Sequence, residues 1–247
     1  MKISLTKAGK RYNRDWIFRN FSYEFVSGNS YAITGPNGSG KSTLLQAIAG
    51  ALMLSEGEVI YESEVVRRES GAGSLQPGVQ SLEQLPGNQH PGVPQPQSTN
   101  PINEQAGHPL QPDNIYRLLS IAAPYLELVE EMTVKEFLNF HKQFKPFLSS
   151  VSIDAIISIV GLQKASNKQI RYYSSGMKQR VKLAQAIFSD VPIILLDEPS
   201  TNLDMEGIQL YQQLIKDYCM QRLVIVSSND KVEYEFCKER LNIMDYK

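Results

Sequence analysis

Residues 35–43 read Gly35-Pro36-Asn37-Gly38-Ser39-Gly40-Lys41-Ser42-Thr43, set between an apolar run, Tyr31-Ala32-Ile33-Thr34, and a helix-like run, Leu44-Leu45-Gln46-Ala47-Ile48-Ala49. Strand, glycine-rich loop and helix in that order are the context a phosphate-binding loop requires. The three glycines let the backbone wrap closely, so successive N–H groups can point inward at phosphate oxygens. The helix start adds its positive dipole end at the same place. Lys41 is placed to reach the β- and γ-phosphates of a nucleoside triphosphate, and the Ser42 hydroxyl to hold Mg²⁺.

Two further stretches extend this chemistry. Ile193-Ile194-Leu195-Leu196-Asp197-Glu198 puts adjacent acids at the carboxyl end of an apolar run, where ligands bind in open α/β sheets. Alternation along a strand sends the two side chains different ways, which suits two tasks. Asp197 can ligate Mg²⁺ directly or through water, and Glu198 can orient and deprotonate an attacking water. Upstream, Ser174-Ser175-Gly176-Met177 runs into the helix-like Val181-Lys182-Leu183-Ala184-Gln185-Ala186-Ile187. Ser174 is a good N-cap, and the small residues leave the first backbone N–H groups open to an anion.

The bulk numbers set bounds. A chain of 247 residues can bury a sizeable core. Its net charge of −1 gives no electrostatic case for a nucleic-acid partner. No apolar stretch approaches the ~18 residues that span a bilayer, and no signal-peptide core follows Met1-Lys2-Ile3. Cys219 and Cys237 lack metal-type spacing and read as reduced, partly buried thiols of an intracellular protein.

Along the chain, Ile3-Ser4-Leu5, Trp16-Ile17-Phe18, Phe21–Phe25 and Gly57–Tyr61 read as short strands. From Ser70 to Pro112 the composition turns to Gln, Pro, Gly, Ser and Asn, with Glu83 and Glu104 the only charges. That stretch predicts a disordered surface insertion, and His90 and His108 within it receive no role. Ile115–Ala123 predicts another strand. Val134, Phe137, Leu138 and Phe144, then Ile153, Ile156, Ile157 and Val160, recur near helical spacing. Ile193–Leu196 and Leu223–Val226 are continuous apolar runs, the mark of central parallel strands.

Phosphate loop, Ser174-Ser175-Gly176, Asp197-Glu198 and then Pro199-Ser200-Thr201-Asn202-Leu203-Asp204 occur in the order of the ATP-binding-cassette ATPases. The chain resembles the nucleotide-binding subunit of an ABC transporter over nearly its whole length apart from the insertion. The resemblance implies an α/β fold: a P-loop NTPase core (a parallel sheet with flanking helices), a small antiparallel β subdomain and a helical subdomain. It implies one domain over 1–247, with core and β subdomain in 1–64 and 191–247. The insertion would fill 65–113, a core strand 114–124, and the helical subdomain with its signature 125–190. ATP and Mg²⁺ are the implied cofactors.

In that family the signature helix of one protomer covers the γ-phosphate held by the other's phosphate loop. A chain with one copy of each element is therefore expected to pair head to tail with itself or a related cassette subunit. Adenine would stack on Tyr12, with Trp16 second, and Asp204 would couple the two sites. The expected partner is a transmembrane permease subunit received around Tyr125–Phe144, with Leu126, Leu128 and Val129 as candidate contacts. The expected location is cytoplasmic, peripheral on the inner face of the cytoplasmic membrane. Export is weakly favoured. The alternatives are a soluble ABC-type ATPase and a slow-turnover nucleotide-sensing module.

Three departures from the family pattern bear on rate. Asn229 stands where a histidine usually contacts the γ-phosphate; its amide donates a hydrogen bond but cannot become a cation. Tyr125 occupies the place of a glutamine that touches Mg²⁺ or the lytic water. Ser175 and Met177 replace glycine and glutamine in the signature, a mild change because Ser175 keeps its N–H. The first two predict slow turnover with Glu198 still active.

Overall fold

The computed structural model describes residues 1–63, 108–109 and 112–247. The chain opens with a hairpin of β1 (Lys2–Tyr12) and β2 (Asp15–Val26). β3 (Ser30–Thr34), the phosphate loop and α1 (Lys41–Ile48) follow, then β4 (Glu56–Ser63), which pairs with both β1 and the two-residue β5 (His108–Pro109). β6 (Leu119–Ala122) leads to α2 (Val134–Phe144), α3 (Ile153–Ile159) and α4 (Ser175–Phe188). The chain ends with β7 (Ile193–Asp197), α5 (Met205–Tyr218), β8 (Leu223–Ser227), α6 (Lys231–Tyr234) and β9 (Glu239–Asn242).

Two sheets result, an antiparallel one in the order β2-β1-β4-β5 and a parallel one in the order β6-β7-β8-β3-β9. The expected α/β architecture is the one observed. β7 and β8 are buried at every residue, and alternation divides their side chains between two cores. Ile193, Leu195, Leu223 and Ile225 join Phe18, Phe21, Phe25, Leu44 and Leu45 on one face. Ile194, Leu196, Val224 and Val226 join Leu138, Ile156, Val181 and Ile187 on the other. Burial on both faces contributes roughly 1.5–3 kcal/mol per large aliphatic side chain, which fixes the two strands whose ends carry the site. Cys219 and Cys237 are free and buried, and burial pushes both thiols up to about 12.

Local departures from the sequence expectations have physical causes. Trp16–Phe18 and Phe21–Phe25 form one twelve-residue strand, joined through Asn20, whose φ of 54° and a shifted register beside it absorb the irregularity. Ile115–Arg117 is no strand: Pro112–Arg117 is a 3₁₀ turn, with Leu118 N–H donating to the Ile115 carbonyl, and the strand starts at Leu119. Pro112 fixes a φ suited to a helical start. The predicted insertion, 65–113, lies almost wholly outside the described residues. β9 and α5 carried no expectation; β9 buries only Leu241, so its polar sequence hides it.

Candidate functional site

The parallel register sets the geometry. Asp197 at the end of β7 pairs with Ser227 of β8, and Ser227 pairs with Ile33 of β3. The three lie in one row across neighbouring strands, so Asp197 stands about 10 Å from the strand that feeds the phosphate loop. Glu198 and Asn229 leave the sheet at the same edge.

The loop itself is built as its glycines require. Gly35, Gly38 and Gly40 have φ of 146°, 75° and 97°. Gly40 is the residue before α1, and a Cβ there would come 2.3 Å from Ile17 Cγ2. Conformation and space both exclude a side chain. Lys41 is 4% exposed, and its ammonium donates to the carbonyls of Gly35 at 3.0 Å and Pro36 at 3.2 Å. Ser39 N–H closes the loop on the Pro36 carbonyl at 3.1 Å. Ser42 and Thr43 begin α1 half-buried beside them. A second cation reaches the loop that sequence gave no hint of. Lys247 Nζ donates to the Ser39 carbonyl at 2.6 Å and the Ile17 carbonyl at 2.7 Å.

Asp197 is 2% exposed, and its Oδ1 has no hydrogen-bond partner among the described residues. An orphaned carboxylate oxygen is costly unless a ligand completes it. Hard oxygen donors from Asp197 and Ser42, few in number, fit Mg²⁺, which keeps several waters and binds protein through one or two groups. Glu198 has φ of 43°, in the left-handed region; its N–H donates to the Ser227 carbonyl at 2.9 Å, and its carbonyl accepts from Thr201 at 3.1 Å. A non-glycine residue held so is strained by about 1–3 kcal/mol, and such strain is concentrated where a side chain must be aimed.

Asn229 Nδ2 donates to Asn37 Oδ1 at 3.0 Å, which ties β8's end to the phosphate loop. Tyr125 is 46% exposed. Burial raises its phenol above the usual value, the Gln46 amide lowers it through a hydrogen bond, and the Asp197 charge raises it. Of the three departures from the family pattern, Asn229 therefore touches the phosphate loop, and Tyr125 lies near Gln46 and Asp197.

Ser174 caps α4, its Oγ accepting from Met177 N–H at 3.2 Å, and both Ser174 and Ser175 are exposed. Gly176 packs under the loop that follows β7: a Cβ there would meet the Asn202 carbonyl oxygen at 2.9 Å. Gln179 Nε2 donates to the Pro199 carbonyl at 2.8 Å, and Arg180 Nη2 lies 3.4 Å from Asp204 Oδ1, which also caps α5. Lys182 Nζ donates to the Pro124 carbonyl at 2.8 Å and the Ala123 carbonyl at 3.3 Å, just before Tyr125. The signature helix is thus fastened to the segments carrying Glu198 and Tyr125. Sequence alone assigns no role to Gln179, Arg180 and Lys182, although their place in the turns after the cap is a signal.

Near the β1–β2 turn, Tyr12 is 48% exposed with the Lys10 ammonium 5.2 Å from its ring centre. Trp16 carries Arg19 at 4.5 Å and Arg11 at 5.5 Å, with Arg19 paired to Glu56. A cleft of about 350 Å³ lies between the segment after β6 and α4, lined by Pro124, Leu126, Leu128, Glu130, Lys178 and Lys182. Leu126 and Leu128 are half-buried, and Val129 is 38% exposed.

A phosphate loop on a parallel sheet, with a carboxylate strand two places along, defines the P-loop NTPase class. Within it, the family model described as ABC transporter matches residues 18–201, and the chain belongs to that family. By that membership it is an ATP-binding ABC transporter subunit with the family's ATPase chemistry. It is 28% identical over 221 residues to the Agrobacterium fabrum cytochrome c biogenesis ATP-binding export protein CcmA, covering 88% of this chain and 84% of that one. It is 26% identical over 230 residues to the Bacillus subtilis uncharacterized ABC transporter ATP-binding protein YybJ, covering 93% and 86%. Among solved structures, it resembles an ATP-binding subunit of an ABC transporter with a TM-score of 0.70 at 18% identity, covering 98% of this chain and 85% of that one. The dimeric structure of MJ0796, a bacterial ABC transporter cassette, is similar with a TM-score of 0.64 at 20% identity, covering 98% and 94%. No helix among the described residues is long and apolar enough to cross a membrane.

Proposed function

We propose that the chain binds Mg²⁺–ATP on the residue 35–43 loop and hydrolyses it slowly to drive a separate transmembrane permease subunit. The observation that carries this reading is the buried Asp197 Oδ1, unpartnered among the described residues and in register with the strand feeding the phosphate loop. Backbone N–H groups of 35–40 bind the phosphates, Lys41 neutralises them, and adenine stacks on Tyr12 rather than on Trp16, whose ring already carries two guanidinium groups. Ser42 and Asp197 hold Mg²⁺, which supplies charge stabilisation at the phosphates. Glu198 orients the attacking water and takes its proton. Asn229 donates a neutral hydrogen bond to the γ-phosphate.

The exposed Ser174 hydroxyl and the N–H groups of Ser175 and Gly176 cover the γ-phosphate of a second copy or a related cassette subunit, with Asp204 coupling the two sites. The permease docks in the cleft beside Leu126, Leu128 and Val129, which places the chain on the inner face of the cytoplasmic membrane. The CcmA relatives, named as ATP-binding export proteins, favour export. A nucleotide sensor with little turnover is the second reading, favoured by Tyr125 and Asn229 at the nucleotide region.

The test is steady-state ATP hydrolysis by the purified protein, with Lys41→Ala as control. Slow hydrolysis that Lys41→Ala abolishes, together with nucleotide binding, supports the proposal. Binding with no turnover at all favours the sensor, and fast turnover contradicts the weakening assigned to Asn229 and Tyr125.

A further inference from the structure

Four residues beyond Asn229 lies a carboxylate that the chemistry above does not use. Glu233 is 3% exposed, on the short helix α6. Its Oε1 accepts from Ser200 N–H at 2.6 Å and from the Ser200 hydroxyl. Ser200 is two residues after Glu198, in the loop that Gly176 packs against at Asn202 and Gln179 bonds at Pro199. The backbone of Glu233 is held as well: the buried Tyr211 hydroxyl donates to its carbonyl at 2.7 Å, and its N–H donates to the Asp230 carbonyl at 3.1 Å.

The turn carrying Asn229 is fixed from its other end. Ser228 N–H donates to the Ile33 carbonyl at 3.1 Å, and Ser228 Oγ accepts from Asp230 N–H at 2.9 Å. Asp230 Oδ1 in turn caps α6 through Val232 N–H at 3.0 Å. Burial raises the Glu233 carboxyl above its usual value, while the Ser200 and Ser228 contacts pull it down. A carboxylate this deep has lost its hydration, and no cation pairs with it among the described ion pairs. Its oxygen is instead committed to two donors on one residue of another segment.

We propose that Glu233 is a positioning residue that latches the 199–204 loop to the Asn229 turn, so that Glu198 and Asn229 are presented to the nucleotide as one unit. The inference rests on the reading of those two residues as groups at the γ-phosphate. Breaking the latch lets the two segments move separately, and hydrolysis falls while nucleotide binding by residues 35–43 stays. Glutamine keeps an oxygen with two acceptor sites for Ser200, so Glu233→Gln preserves most of the latch.

The experiment is a double-mutant cycle on kcat for ATP with Glu233→Ala and Asn229→Ala, each variant assayed well below its own melting temperature. Expected are a roughly tenfold loss of kcat in Glu233→Ala with KM for ATP within about twofold, and recovery of most of that loss in Glu233→Gln. Glu233→Ala placed on Asn229→Ala costs little further. A lowered melting temperature with unchanged kcat, or a fully additive double variant, overturns the latch. Asn229→Ala alone separates the two claims: no loss there overturns the reading of Asn229 and the coupling with it, whereas a loss there beside an additive double variant overturns the coupling only.

Discussion

Replacing Gly40 with alanine tests the phosphate loop at the point where its shape is most constrained. Gly40 has φ of 97°, and a Cβ would sit 2.3 Å from Ile17 Cγ2. A left-handed conformation costs a residue with a Cβ about 1–2 kcal/mol. Forcing a methyl into filled space costs about 1–3 kcal/mol more, so Gly40→Ala should lose about 2–5 kcal/mol. Gly28 is the internal control: its φ is 78°, but no atom of the described residues lies within 4 Å of the added atom. Gly28→Ala should therefore lose only the conformational part, about 1–2 kcal/mol. Urea unfolding followed through Trp16, the only tryptophan, reports both as midpoint shifts at constant slope. Adding Ile17→Ala makes room for the new methyl, so the double variant should be more stable than the sum of singles by about 1 kcal/mol or more. ATP binding, read by titration calorimetry, should be lost in Gly40→Ala and kept in Gly28→Ala. Equal midpoint shifts with ATP binding intact in both would refute the description of the loop.

If Asn229 contacts the γ-phosphate as proposed, Asn229→His puts a group there that can carry positive charge and should raise kcat about tenfold; an unchanged rate means that the asparagine does not limit turnover. His141 is held near 4 rather than 6.5 by burial first and by the Lys145 charge second, and its Nε2 lies 2.9 Å from Ser189 Oγ. The unfolded chain therefore binds that proton first. Stability from the neutral ring is complete above about pH 6.5 and is lost as pH falls towards 4, by about 1–3 kcal/mol after discounting for partial exposure. Melting temperatures of wild type and His141→Gln should converge between pH 7 and pH 4.5; parallel curves would contradict the shift.

What the sequence showed plainly was what short-range pattern encodes. Gly35–Thr43 names its own geometry because glycines, lysine and serine act through backbone shape and local charge. β7 and β8 were legible because strands buried on both faces leave no polar alternation. β9 was not, since an edge strand that buries only Leu241 looks like loop. The strand expected at Ile115 failed because Pro112 starts a helical turn that the apolar run does not reveal. Glu233 and Lys247 were invisible for a different reason. Their partners, Ser200 and Ser39, are 33 and 208 residues away, and only the folded sheet brings them together.

The central claim is that two copies share each nucleotide, one through residues 35–43 and the other through Ser174–Gly176. Glu198→Gln removes the base yet leaves every proposed binding group, so ATP should accumulate between subunits. Light scattering coupled to size-exclusion chromatography in ATP and Mg²⁺ is the direct measurement. The account predicts a dimer mass that returns to the monomer when Ser175→Glu is added, because a carboxylate there repels the γ-phosphate. A monomer at every protein concentration, or a dimer indifferent to both ATP and Ser175→Glu, would contradict it.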